Sequence, residues 1–213
     1  MAAAVRGAEE LELLERLLGL PGGNKYGVQG ERKVPVLQSN NGPGLTGLMT
    51  IAAHLVRQAR KDQLLGSTAE EKAVVQQWLE YRVTRVNGGS SKEDIRTILK
   101  VEAEKRILRV PLYFEQPDDK EQIATGICFP YSLQLDLNMH LEDKVYLAGN
   151  IFTLADILMY YGLHHIMVDL TVQEKENYLN VSRWFNHIQH YPGVRQHLPD
   201  VIFIKNRLYT NAH

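Results

Sequence analysis

The chain has 213 residues and a mass of 24.3 kDa, enough for one large domain or two small ones with a real core. Apolar residues make up 44% and charged residues 23%, with 24 Lys+Arg against 25 Asp+Glu. That balance excludes a disordered, collagenous or coiled-coil chain and supplies no global basic field, so direct nucleic-acid binding is not expected. The single cysteine, Cys128, cannot make an internal disulfide. The start, rich in Ala and then Glu, is no secretory leader, and no apolar run approaches the ~20 residues of a membrane span. A cytosolic protein without a membrane partner is expected.

The periodicity predicts a first helix over Glu9 to Leu20, with Leu11, Leu14, Leu17 and Leu18 on one stripe and Glu10, Glu12 and Arg16 outside it. Gly19, Pro21, Gly22 and Gly23 end it. Tyr26 to Gln29 and Lys33 to Gln38 follow, and Val34-Pro35-Val36-Leu37 reads as a short strand. Pro35 removes a ladder donor and places its strand at an edge or a special turn. A helix is predicted from about Thr46 to Arg60. Its apolar residues cover a wide arc, Leu48, Ile51 and Leu55 beside Met49, Ala52, Ala53 and Val56. Such an arc fits either a second buried face or a helix sunk in its own domain.

Overlapping capping boxes, Ser67 with Glu70 and Thr68 with Glu71, open a helix to about Val86 in which Val74, Val75, Trp78, Leu79, Arg82 and Val83 are in register. Ser90 or Ser91 caps another helix with Ile95, Ile98 and Leu99 inward. The pattern then fails across Val101 to Leu135. Joining Lys100 directly to Asp136 restores it, because Ile95, Leu99, Leu137 and Leu141 fall at spacings of four, three and four. Segment 101–135 therefore reads as an insertion of 35 residues, expected to leave the fold as a loop.

Gly149 to Asp156 leads into a helix to about Val168, and Thr171 to Glu174 is another capping box. A helix from Val181 to Tyr191 carries Trp184, Phe185 and Ile188 inward, and Pro192 ends it. Pro199 is predicted to open a last helix with Val201, Ile202, Ile204 and Leu208 apolar.

Candidate chemistry is sparse. In Thr153-Leu-Ala-Asp156 the spacing assigns both side chains to a structural N-cap rather than to catalysis. His187 and His190, and His164 and His165, lack the carboxylate or thiolate company of a metal site, so no metal is expected. The glycine-rich stretch Gly19 to Gly30 has neither the P-loop ending nor the dinucleotide spacing. Cys128 has no cationic neighbour in sequence to activate it.

Val145-Tyr-Leu-Ala-Gly149 with Thr153-Leu-Ala-Asp156-Ile resembles the capping motif of glutathione-transferase C-terminal domains. Asn180 to Ile188 with Pro192-Gly-Val resembles a later helix of that fold, and Val34-Pro35-Val36-Leu37 its thioredoxin-like strand, whose proline is usually cis. Leu64 to Ala73, Gln76 to Tyr81 and Phe203 to Asn211 are similar to the elongation factor 1 epsilon-like auxiliary proteins. The family pattern runs straight from Lys100 to Asp136, in agreement with the insertion.

The resemblance implies a mainly α fold: a reduced thioredoxin-like α/β half over 1–63 and an all-α transferase-like half over 64–213, interrupted at 101–135. Enzymes of the fold carry Glu-Ser where this chain has Gly47 and Leu48, and they begin with a strand where it begins with a helix. No cofactor is therefore expected, although a glutathione-dependent transferase remains the alternative and a tRNA-binding accessory a second one. The implied role is a non-catalytic scaffold of the multi-synthetase complex. Its implied partners are the transferase-like appendages of methionyl- and glutamyl-prolyl-tRNA synthetases and other scaffold proteins of that complex, with nuclear traffic and a link to DNA-damage kinases. Docking would use Ala52 and Val56 for close approach, His54 and Gln58 for rim hydrogen bonds, and Arg183 for stacking or pairing.

Overall fold

In the computed structural model, residues 2–30, 34–38, 44–86 and 137–203 are described. Helix α1 (Ala2–Leu18), strands β1 (Lys25–Gln29), β2 (Val34–Gln38) and β3 (Leu45–Thr46), and helix α2 (Leu48–Gln58) form the small α/β part. Helices α3 (Ala69–Tyr81), α4 (Leu137–His140), α5 (Leu154–Asp169), α6 (Val172–Glu176) and α7 (Leu179–Gln189) form the helical part. The described chain is thus mainly α with a reduced thioredoxin-like half, as expected. The predicted helix after Ser90, Cys128 and the whole of 101–135 lie outside the described residues.

Helix α1 starts earlier than Glu9 because its Ala-rich opening favours helix without a cap. Its end is a Schellman turn. Gly19 adopts φ +73°, its amide donates to the Arg16 carbonyl, and Leu20 N–H donates to the Glu15 carbonyl. Two acidic residues of α1 are buried, Glu10 and Glu15. The expectation for Glu10 is corrected here: it faces inward. Glu15 accepts from Asn24 Nδ2 and from the Tyr26 hydroxyl, both at 2.9 Å, and so ties α1 to β1.

The sheet is antiparallel in the order β1-β2-β3. Pro35 therefore lies in the central strand, not at an edge. It pairs with Val28 on one side. On the other, β3 reaches only Val36 and Leu37, and the Pro35 carbonyl accepts from Gly47 N–H at 2.9 Å. A strand residue aims its N–H and C=O to the same edge, so the missing donor falls beyond the end of β3. No peptide bond among the described residues is cis, so the usual proline isomer of the resemblance is not adopted.

Helix α2 packs against α1 and against β2 and β3. Leu48, Ile51, Ala52, Leu55 and Val56 are all buried there, so most of the wide apolar arc is consumed inside the chain. A capping box of Thr68 and Glu71 starts α3, and Glu71 also accepts from Ser67 N–H at 2.7 Å. The helical path continues as a π-helical turn over Arg82–Val86.

That turn places Arg82 in the core. One guanidinium nitrogen donates to both Glu10 oxygens at 2.7 and 3.0 Å, and Nε donates to the Leu158 carbonyl at 3.0 Å. α1, the α3 extension and α5 meet at this one side chain. Gly162 of α5 makes the room: a Cβ there would lie 1.9 Å from Arg82 Nε.

The predicted final helix is not formed over its described part. Residues 199–203 are irregular, because their backbone is engaged by side chains of three helices. His164 Nε2 donates to the Pro199 carbonyl at 2.9 Å and Lys175 Nζ to the Ile202 carbonyl at 3.0 Å. Gln189 bonds both N–H and C=O of Val201 at 3.1 Å. Residues 204–213 lie outside the described residues.

Gly162→Ala tests the Arg82 site. Helix propensity alone would raise stability by about 1 kcal/mol. We expect the opposite, a loss of about 3 kcal/mol or more in urea unfolding, since the guanidinium must leave Glu10. Arg82→Ala should cost about 3–5 kcal/mol by taking the cation away from a buried carboxylate, and the double variant should fall well short of the sum.

Candidate interaction surface

The sequence offers two docking faces, one on α2 and one on α7 at Arg183, and the structure joins the second to the loop 141–149. The foundation of this second face is Asp156 in the first turn of α5. Thr153 is the N-cap residue, and the two form a capping box. Asp156 Oδ2 accepts from Thr153 N–H at 3.0 Å and from the Thr153 hydroxyl at 2.9 Å. The other oxygen reaches out of the helix and accepts from Leu147 N–H at 2.9 Å and Trp184 Nε1 at 3.0 Å. One carboxylate thus fixes an N-terminus, the loop and α7. Burial pushes its carboxyl above the usual carboxylate range, against the pull of these hydrogen bonds.

Two further ties hold the surface. Tyr178, at the N-cap of α7, makes no side-chain cap. Instead Asn138 of α4 supplies it: its Oδ1 accepts from Asn180 and Val181 N–H at 3.0 and 3.2 Å, and its own carbonyl accepts from Asn180 Nδ2. Arg183 donates to the Leu141 carbonyl and, at 3.0 Å, to the Lys144 carbonyl. His140 stands at the root of the loop, its Nε2 donating to the Leu147 carbonyl at 2.9 Å and its ring 4.6 Å from Trp78. Burial holds its pKa below the ordinary value.

What faces solvent is an open groove of 340 Å³ between Glu142–Val145 and Arg183, Trp184 and His187. His187 Nε2 contacts the Tyr146 hydroxyl at 3.1 Å, and beyond it Phe152 stacks on Tyr191 at 4.0 Å. The groove offers both charge signs, an exposed Val145 and aromatic edges. These are the means of protein recognition rather than of covalent chemistry.

The predicted docking residues separate. Ala52 and Val56 are 0% exposed and packed in the chain's own core, so they cannot provide close approach to a partner. Helical spacing placed them correctly on one stripe, but both flanks of α2 are already covered. His54 and Gln58 are exposed on the outer side of α2. Arg183 is exposed but already spends donors on two carbonyls of its own chain, so it positions the loop as well as facing outward. Asn138 and His140 were not singled out, because their partners lie far along the chain.

Gly47 and Leu48 provide no carboxylate or hydroxyl at the start of α2: Leu48 is buried and the helix has no side-chain cap. Among the described residues, no three His, Cys, Asp or Glu side chains converge as a metal centre requires. No helix there is long and apolar enough to cross a membrane.

A thioredoxin-like α/β unit joined to a helical bundle, with the Thr153–Asp156 box opening the central helix, defines the glutathione-transferase fold. A glutathione transferase F2 from Populus trichocarpa superposes with a TM-score of 0.55 at 19% identity, covering 91% of this chain and 93% of that one. Residues 128–192 match a family model described as nuclear-export cofactor Arc1p. Eukaryotic translation elongation factor 1 epsilon-1 of Homo sapiens is 64% identical over 97% of this chain and 98% of its own length. That of Mus musculus is 61% identical over the same shares. The chain belongs to the eukaryotic translation elongation factor 1 epsilon-1 family.

Asp156→Asn keeps the shape but turns a donor toward Thr153 or toward Leu147 and Trp184. A loss of at least about 2 kcal/mol is expected, with altered near-UV dichroism of Trp184. Two histidines, His140 and His164, are both held below the ordinary value by burial, and the pH response is followed at His140. Its folded pKa lies below the unfolded value of about 6.5, so the unfolded chain binds more protons and stability falls as pH drops below that value. His140→Gln, which keeps a donor for Leu147, should flatten the decline in melting temperature between pH 7.5 and 5.5.

Proposed function

We propose that this auxiliary factor of translation is a non-catalytic scaffold. It docks the transferase-like appendages of methionyl- and glutamyl-prolyl-tRNA synthetases, among other scaffold proteins of the multi-synthetase complex. The observation that carries the reading is the braced outer face of α7, where Asp156, Asn138 and Arg183 hold a groove of mixed character in one shape. A preformed face loses little entropy on association. Exposed His54 and Gln58 on α2 give a second face. The two faces sit on the two halves divided near residue 63, and a bivalent scaffold needs such a separation.

An absence of catalysis is part of the proposal. It is supported by Gly47 and Leu48 at the start of α2 and by the relatives' naming as translation elongation factor 1 epsilon-1. Nuclear traffic and contact with DNA-damage kinases belong to the same reading. The match to a model described as a nuclear-export cofactor fits with the first. A glutathione-dependent transferase is the rival, and the shared fold is its support.

Sedimentation of the 213-residue chain with the transferase-like appendage of methionyl-tRNA synthetase, and separately with that of glutamyl-prolyl-tRNA synthetase, is the test. A one-to-one species is expected with each. His54→Ala/Gln58→Ala should weaken one of the two, and Arg183→Ala the other, about tenfold, which corresponds to about 1.4 kcal/mol. A folded chain that sediments alone with both, or that is retained on glutathione resin and conjugates thiols, overturns the scaffold reading.

A further inference from the structure

Residues 199–203 are held through their main chain by side chains of three helices. Gln189 is buried and presents its side-chain amide edge-on to Val201. Its Oε1 accepts from Val201 N–H and its Nε2 donates to Val201 C=O, both at 3.1 Å. An extended residue aims these two groups to the same side. A primary amide matches them as a neighbouring strand would. Asn186 Oδ1, 2.9 Å from the same Nε2, sets which end of the amide donates.

Two more backbone carbonyls are held likewise. His164 of α5 takes that of Pro199 at 2.9 Å, and Lys175 of α6 takes that of Ile202 at 3.0 Å. All these bonds address main chain, so they do not depend on side-chain identity. Sequence enters only at two places. Val201 is buried, and the Phe203 ring lies 5.9 Å from Phe185 and 5.6 Å from Lys175 Nζ. Asp200 and Ile202, on either side of Val201, point to solvent. Beside this seat Tyr160, packed 4.6 Å from Phe185 and 5.6 Å from His164, keeps a buried hydroxyl without a partner. The occupying segment therefore leaves one polar group unserved.

We infer that α5, α6 and α7 form a cleft for an extended peptide, which the chain fills with its own Pro199–Phe203. The cleft is expected to take in trans an extended segment carrying a β-branched residue and, two positions on, an aromatic one. In cis occupancy makes the segment a strap that competes with such a peptide. The inference does not depend on the docking faces proposed above, which lie on α2 and on the outer side of α7 with the loop 141–149, whereas the cleft uses Gln189 and Phe185 of α7.

Two measurements on the full chain test it. In native-state hydrogen exchange, the Val201 amide should exchange at least tenfold faster than those of Phe185 and Ile188 in α7, because the strap opens without the bundle. Equal protection overturns the inference. In fluorescence polarisation, a labelled peptide His-Leu-Pro-Asp-Val-Ile-Phe should bind the Val201→Asp chain at least tenfold more tightly than the wild type. Adding Gln189→Leu should abolish that binding, and a peptide with Asp in place of Val should not bind. If Val201→Asp does not fold, Val201→Ala, which empties the anchor with less damage, replaces it. Absence of peptide binding to a folded strap variant overturns the inference.

Discussion

Arg82 is the side chain on which three helices agree. Its guanidinium is buried and is served by groups brought from elsewhere, among them the Glu10 carboxylate from α1 and the Leu158 carbonyl from α5. A buried ion pair contributes little net stability once desolvation is counted, but breaking it by removing one partner is costly. Its effect is geometric. α1 can sit against α5 only in the register that puts Glu10 over the fork, and α5 can pass only with Gly162 at the crossing. The α/β half is fixed to the helical half by this requirement. Asp156, two residues before Leu158, is delivered to its place by the same placement of α5.

From Asp156 outward the structure is finished by side chains that complete the backbone of distant elements. Asp156 serves Leu147, Asn138 serves the first turn of α7, and Gln189 serves Val201. Each leaves a helix end or an irregular segment with few buried backbone groups unpaired, which lets short helices and loops pack without regular ladders. The outer face of α7 owes its shape to this bracing. A face that is already ordered suits association.

The fold is shared with glutathione transferases, while positions 47 and 48 hold Gly and Leu. Gly47 and Leu48 themselves carry neither an acid nor a hydroxyl, and Leu48 is drawn into the core instead. A fold fixes positions, and chemistry resides in what is placed there.

The sequence by itself determined the elements whose signals are local. The capping boxes at Thr68, Thr153 and Thr171, the glycine stop after α1 and the stripes of α3, α5 and α7 could be read directly, because each depends on residues within one or two turns. The inward place of Arg82 was visible as a register position, though its meaning was not. Only the tertiary structure decided that Glu10 faces Arg82, that Ala52 and Val56 are core rather than surface, that Pro35 is in a central strand, and that Pro199–Phe203 is not a helix. In each case the deciding partner lies many residues away. A periodic pattern reports which side of a helix is apolar, but not what covers it, and a propensity cannot weigh a helix against three side chains that reach in to take its backbone.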